Sequence, residues 1–226
     1  AVEVLPLVTN TTPSVTIAAA EPINEGGAFL GGGFFEDSDA NEWTATVNYG
    51  EPDAVAVPLA LNADKTFALS HVYTQEGLYD VTVTVNDGTA SGETSLMMVP
   101  VDGPEGFATI QVTVNNVAPE VDVGLEETIP EGGTLSRTIT IVDPGADTLT
   151  ISVDYESDGT LDETGTATEA QTYLLNHTYP TAGTYPVTVY VSDGTITVQA
   201  GFTVTVESAN QPPVANAIAV TTMGAR

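Results

Sequence analysis

The chain sets out one plan twice, and the two statements run in register over most of their length. Leu69-Ser-His-Val-Tyr73 returns 106 positions later (69 to 175) as Leu175-Asn-His-Thr-Tyr179. Gly77, Tyr79, Val81, Val83, Val85, Asp87 and Gly88 return as Gly183, Tyr185, Val187, Val189, Val191, Asp193 and Gly194. Upstream, Glu25-Gly-Gly27 matches Glu131-Gly-Gly133, Asp37 matches Asp143, and Tyr49 matches Tyr155. A period this long exceeds the roughly 20–50 residues of a solenoid unit, so each copy must bury a core of its own. Positions that recur in both copies point to scaffold rather than to a unique active site. The repeat therefore favours a structural or binding module over an enzyme, and no residue is assigned a catalytic role.

Within each copy, apolar and polar residues alternate. Trp43, Ala45, Val47 and Tyr49 point one way while Thr44, Thr46 and Asn48 point the other. The second copy writes this as Leu149, Ile151, Val153 and Tyr155 against Thr150, Ser152 and Asp154. Tyr79–Val85 and Tyr185–Val191 are the cleanest strands, and no segment has helical periodicity. Half-buried strands separated by Gly, Pro and Asp turns at short spacing predict an all-β chain of two antiparallel sandwiches placed end to end.

Boundaries follow from the turn residues. Residues 1–12 read as an extended arm, 13–116 as the first sandwich, 117–208 as the second, and 209–226 as a linker with the first strand of a further repeat or an assembly strand. Pro119 closes the junction Asn115-Asn-Val-Ala-Pro119, because proline cannot donate to the ladder. Asn210-Gln-Pro-Pro213 is a junction of the same type, followed by the strand-like Val214–Val220. The copies differ after Gly88, where the first carries about a dozen extra residues near 95–106. Those residues read either as an extended final hairpin, since loops tolerate insertion, or as an apolar Met-bearing edge for a neighbouring subunit.

The charge is one-sided. Thirty-one acidic residues face only Lys65, Arg137 and Arg226, a net charge of −28. Phosphate binding needs a basic footprint, so nucleic acid is excluded as a partner. No apolar run reaches the ~18 residues of a membrane helix, which argues against direct membrane insertion. The chain has no cysteine. Disulfide-free, acidic, Thr/Val/Gly-rich tandem domains suit exported bacterial or archaeal proteins, with carboxylates and calcium in place of covalent staples.

At these residues the chain resembles the PKD (polycystic kidney disease) domain. The resemblance rests on Phe35-Glu-Asp-Ser-Asp-Ala-Asn-Glu-Trp43, the strand up to Tyr49-Gly50, Phe67-Ala-Leu-Ser-His-Val-Tyr73 and Gly77-Leu-Tyr-Asp-Val-Thr-Val-Thr-Val85. The second copy supplies Asp143-Pro-Gly-Ala-Asp147, His177-Thr-Tyr179 and Gly183-Thr-Tyr185. Gly50-Glu-Pro-Asp53 departs from the family's G-D-G, and Leu149 stands where it has Trp. The closing parts of both copies and the Asn-Gln-Pro-Pro junction also resemble cadherin-like repeats. The resemblance implies an immunoglobulin-like sandwich in a bacterial or archaeal surface or secreted protein, used for adhesion, spacing or display, sometimes with calcium, and not catalysis.

Two groups of acids are candidate calcium ligands. Asp37, Asp39 and Asn41 offer oxygens at i, i+2 and i+4, as at the start of an EF-hand loop, without that loop's glycine and closing Glu. In a sandwich this loop shares an end with the loop carrying Asp87. The second copy places Asp143, Asp147 and Asp193 at the corresponding end, which faces the bottom of the first sandwich, so Glu25 and Asn116 can complete a site at the junction. The competing reading is that these acids form ordinary Asx turns and caps. A third group is Asp154, Asp158 and Asp162. His71 and His177, with no cysteine and no second histidine near, read as hydrogen-bonded structural residues, and Trp43 as core rather than sugar platform.

Three functions remain in view. The first is a non-enzymatic extracellular structural or adhesion module rigidified by calcium. The second is a subunit of a filament or surface layer, joined head to tail to copies of itself by strand addition. The third is a spacer or carbohydrate-binding module of a secreted hydrolase, with surface glycans as partners.

Overall fold

The computed structural model describes residues 11–39, 42–88, 105–168 and 171–209. Asn41, the first ten residues of the arm, positions 95–104 of the insertion and everything from 210 onward, including Val214–Val220, lie outside the described residues. Among the described residues all regular structure is strand, and no helix is long and apolar enough to cross a membrane.

Eight strands precede the junction: β1 (Ser14–Ile17), β2 (Ile23–Asn24), β3 (Ala28–Glu36), β4 (Thr44–Asn48), β5 (Val57–Leu59), β6 (Thr66–Val72), β7 (Gly77–Asn86) and β8 (Glu105–Asn115). Eight follow it: β9 (Glu120–Asp122), β10 (Glu127–Pro130), β11 (Thr134–Val142), β12 (Thr148–Asp154), β13 (Glu163–Thr168), β14 (Gln171–Thr178), β15 (Gly183–Ser192) and β16 (Thr197–Glu207). The first set forms a three-stranded sheet, β1-β3-β6, and a five-stranded sheet, β2-β8-β7-β4-β5. The second set repeats both as β9-β11-β14 and β10-β16-β15-β12-β13. All pairings are antiparallel except the short β2–β8 and β10–β16 ladders. The fold is two immunoglobulin-like sandwiches in tandem.

Alternation decides which face is buried. On β7, Tyr79, Val81, Val83 and Val85 turn inward, while Thr82 and Thr84 sit on the opposite face, their Thr–Thr and Thr–Phe neighbours lying across on β8. They meet Phe29, Phe35, Phe67 and Leu69 from the opposing sheet. The second core is more completely buried, with Leu135, Ile139, Ile141, Leu149, Ile151, Val153 and Leu175 all fully excluded from solvent. Each such aliphatic side chain stabilises its sandwich by about 1.5–3 kcal/mol relative to exposure. The two cores share no residue, as the length of the repeat requires.

The shared Tyr-His-Tyr positions form one unit in each copy. His71 stacks on Tyr49 with ring centroids 4.3 Å apart and meets Tyr73 edge-on. His177 does the same with Tyr155 and Tyr179. Tyr73 Oη donates to the Tyr49 carbonyl at 2.7 Å, and Tyr179 Oη to the Tyr155 carbonyl at 3.2 Å. Burial pushes both phenols well above their ordinary range. Each imidazole Nε2 lies beside one carboxylate, Glu51 at 3.0 Å and Glu156 at 3.4 Å, the former an ion-pair approach without hydrogen-bond alignment. The histidines thus link two tyrosine rings and tie the end of β4 or β12 to β6 or β14 of the opposing sheet.

Candidate metal centre at the domain junction

The linker from β8 to β9 is only four residues, Asn116–Pro119, so the lower loops of the first sandwich meet the upper loops of the second. The first sandwich supplies the β2–β3 turn, with Glu25 and Gly26, and the β6–β7 turn, with Gln75 and Glu76. The second supplies the β11–β12 loop, Asp143–Asp147, and the β15–β16 turn, with Asp193. Backbone bonds fix the seam: Ala146 N–H donates to the Thr74 carbonyl at 2.7 Å. Gly26 takes a left-handed φ of +70° and lies so close to Pro144 that an added Cβ would be 2.8 Å from the Pro144 carbonyl oxygen.

The polar groups follow one pattern, with one atom held and the other left without a partner. Glu25 Oε1 accepts from Val117 N–H at 2.7 Å, while Oε2 has no partner. Asp143 Oδ1 accepts from Gly145 N–H at 2.8 Å and Asp147 Oδ1 from Gln75 Nε2 at 3.1 Å, while both Oδ2 atoms are buried and unsatisfied. Asn116 donates from Nδ2 to Asp193 Oδ2 at 3.0 Å, leaving its Oδ1 buried and unsatisfied. Glu25, Asp143 and Asp147 are 2%, 6% and 9% exposed. Glu25, Glu76 and Asp147 each offer an oxygen within 4.8 Å of the others. A Cβ at Gly145 would sit 2.5 Å from Asp147 Oδ2 and 2.8 Å from Glu25 Oε2, so the glycine keeps open the space between them.

An unsatisfied buried oxygen costs about 1–3 kcal/mol, and like charges sharing a site cost more. Here burial, opposed by the Val117 N–H bond and reinforced by repulsion from Asp147, Glu76 and Asp143, pushes the Glu25 carboxyl above its ordinary value of 4.5. Burial likewise lifts Asp143 and Asp147 above 3.8, with further repulsion from Asp193 and Glu76. Asp193 goes the other way. Burial raises it, but N–H donors from Ile196 and Thr195 and the Asn116 amide outweigh that and hold it below 3.8. Lys65 and Arg137, the two cationic side chains among the described residues, are engaged elsewhere, at Trp43 and at Glu127. The donor set is all oxygen, with each ligand oriented by a second hydrogen bond, which suits a hard cation such as calcium.

The structure therefore brings Glu25, Asn116, Asp143 and Asp147 to one place, and uses Asp193 to orient Asn116. Sequence reasoning missed Glu76 and Gln75. Their signal was a disagreement between copies, since Gln75-Glu76 becomes Thr181-Ala182. At the top of the first sandwich Asp37, Asp39 and Asp87 also gather within 4.8 Å. There Asp37 accepts from Asp39 N–H and, at 2.7 Å, from Trp43 Nε1, and Asp39 accepts from both Thr11 N–H and its hydroxyl at 2.9 Å. The third group is Asp154, Glu156 and Asp162 rather than Asp154, Asp158 and Asp162. Asp154 is spent on the amides of Glu156, Asp158 and Gly159, Asp162 accepts from Tyr155 N–H, and Asp158 caps Thr160. That loop is stapled by Asx-type bonds.

The PKD domain family model matches residues 116–207, the second sandwich with its linker. The chain is 34% identical over 165 residues to Chitinase A of Pseudoalteromonas piscicida, a match covering 70% of this chain and 18% of that protein. The chain thus spans under a fifth of that relative. Among solved structures, the PKD domain of an M14-like peptidase from a Thermoplasmatales archaeon is similar at 23% identity and TM-score 0.35, over 41% of this chain and 98% of that one. Titin-A168169 is similar at 12% identity and TM-score 0.44, over 87% and 100%. The second sandwich carries the PKD domain match, and the first repeats its two sheets strand for strand.

Proposed function

We propose that this tandem is a non-catalytic extracellular spacer whose two sandwiches are locked in line by one calcium ion at their junction. The observation that carries this reading is the set of buried, partnerless oxygens, Glu25 Oε2, Asn116 Oδ1, Asp143 Oδ2 and Asp147 Oδ2, contributed by both sandwiches and the linker between them. A cation among Glu25, Glu76 and Asp147, whose oxygens lie within 4.8 Å of one another, gives the partnerless Glu25 and Asp147 oxygens a ligand and relieves their repulsion with each other and with Asp143. The Chitinase A relative supports placement within a larger secreted hydrolase, as the segment that separates other domains.

A glycan-binding role is less well supported. Trp43 is the one tryptophan in the chain. Its indole N–H is tied to Asp37, the Lys65 ammonium lies 4.5 Å over its ring, and Phe35 packs edge-on against it at 5.4 Å. A side chain held on these sides is a poor sugar platform.

Calorimetric titration of the chelator-treated chain tests the reading. It expects one calcium bound per junction and a melting temperature that climbs with calcium, since a ligand at 100 times its Kd stabilises by about 2.7 kcal/mol. An unchanged melt up to millimolar calcium refutes it.

A further inference from the structure

The two sandwiches share their buried faces and differ on one exposed face. In the sheet β1-β3-β6 the inward residues Phe29, Phe35 and Leu69 recur in the second sandwich as Leu135, Ile141 and Leu175, buried in both copies. The outward residues, which the pleat places at alternate positions, do not recur. Thr16, Ala28, Leu30, Phe34 and Val72 become Asp122, Thr134, Ser136, Thr140 and Thr178 at the matching register positions. Leu30, Val72 and Phe34 are 75%, 50% and 45% exposed. Between the Thr16–Phe34 pair and the Ala28–Val72 pair no outward position carries a charge, in a chain with 31 acidic residues. Core packing does not demand this, because the second sandwich folds with a polar face in the same place.

The face also has relief. Leu30 and Phe34 stand on either side of Gly32, and Ala68 lies opposite Gly32 on β6. Ala18 N–H donates to the Gly32 carbonyl at 2.9 Å, so the row that crosses the middle of the sheet is Ala18, Gly32 and Ala68. A Cβ on Gly32 would stand 2.7 Å from the Phe67 carbonyl oxygen, which shuts out a larger residue there. The result is a shallow trough between the ridges of Leu30 and Phe34. In the second sandwich Thr138 and Leu174 occupy that row and no such trough forms.

We infer that this face of the first sandwich docks against the same face of a second copy of the chain. A two-fold axis between ridge and trough places Leu30 of each copy in the trough of the other, so the relief is self-complementary. Charge favours the same partner. Two chains at −28 repel wherever their acids face one another, and this contact brings no carboxylate between them. Seven residues on three strands cover about 300 Å² in projection, below the ~800 Å² per partner of a standard stable interface. The contact is therefore transient. Rim acids such as Glu36, opposite Ser14, oppose it until salt screens them, the Debye length falling from about 10 Å at 0.1 M to about 3 Å at 1 M.

Sedimentation velocity of the full chain in chelator, from about 10 μM to about 1 mM, the range of weak complexes, tests this at low and at high sodium chloride. The average sedimentation coefficient should rise with concentration, and rise further at high salt. Leu30→Ser combined with Val72→Thr installs the residues of the second sandwich and should weaken association at least about tenfold; the melt of this variant, compared with the parent, confirms that it folds. Ser70→Asp should abolish association by setting like charges face to face, while Asn176→Asp, at the matching position of the second sandwich, should leave it unchanged. A chain that is monomeric at the highest concentration and salt overturns the docking surface, as does association that the double variant does not reduce. Association seen only in calcium also overturns it, since the contact then belongs to the acids. None of these outcomes bears on the calcium-dependent melt, so the junction site stands or falls separately.

Discussion

Glu25, Asp143 and Asp147 tie the stability of the cation-free chain to pH in an unusual direction. Their carboxyls are raised in the folded state, so they contribute stability that is fully present below their unfolded values and lost as pH rises through the folded ones. In chelator, the melting temperature should therefore fall as pH rises from about 4 toward neutrality, on top of the general self-repulsion of a chain at −28. Calcium reverses that slope, because protons compete with the metal for the same oxygens. Melting curves across this range, with and without calcium, check both signs; parallel curves would count against the site. Glu25→Gln keeps an oxygen for Val117 N–H and removes one charge. It should melt higher than the parent in chelator, by a few degrees for each ~1 kcal/mol of relieved repulsion, and lower in calcium. Gly145→Ala puts a methyl where the Glu25 and Asp147 oxygens converge, so calorimetry should find calcium binding weakened at least tenfold with the chelator melt near that of the parent.

At the scale of strands, the repeat carries almost all the information. The Tyr-Val-Val-Val alternation of β7 and β15 specifies a buried face, and the recurrence of Leu69 as Leu175 marks the opposing β6 and β14. Because the two cores share no residue, Leu175→Ala should destabilise the second sandwich alone by about 2–5 kcal/mol and split the thermogram in chelator; Leu69→Ala should do so for the first. A single lowered transition for either variant would mean that the sandwiches unfold as one unit even without the cation. The candidate site was less legible. Asp154 lies on a strand where alternation turns it outward, yet it is 2% exposed, because the following loop folds back and donates three amides to it. Such a fold-back depends on backbone geometry that periodicity does not encode. Glu76 and Gln75 escaped notice because attention to shared positions selects scaffold, while a junction used once is written where the copies differ. The acids of the second sandwich were found because their counterparts in the first already looked like ligands; which atom of Glu25, Asn116 and Asp147 stays unpartnered is set by contacts between residues 72 to 92 positions apart.

For the molecule as a whole, the seam is thin apart from its acids. Among the described residues it is spanned by the Ala146–Thr74 backbone bond, by Val117 on Glu25, Gln75 on Asp147 and Asn116 on Asp193, and by Thr195 on Glu76 at 3.3 Å. Four of these five bonds end on a carboxylate or on the amide that a carboxylate orients, so they persist only while the acids stay together. Relative motion is the default for domains joined by a small polar interface. Removing the cation should let the acids repel and the sandwiches bend about Asn116–Pro119, while the sheets on either side keep their hydrogen bonds. Small-angle scattering should then give a broader distribution of interatomic distances in chelator than in calcium, with far-ultraviolet circular dichroism unchanged. Magnesium at equal ionic strength separates binding from screening. It prefers a smaller, strictly octahedral shell and sheds water reluctantly, so it should restore the narrow distribution only in part. Full restoration by sodium chloride alone would reduce the junction to self-repulsion relieved by salt, and a distribution indifferent to every ion would mean that the seam is held by its backbone contacts.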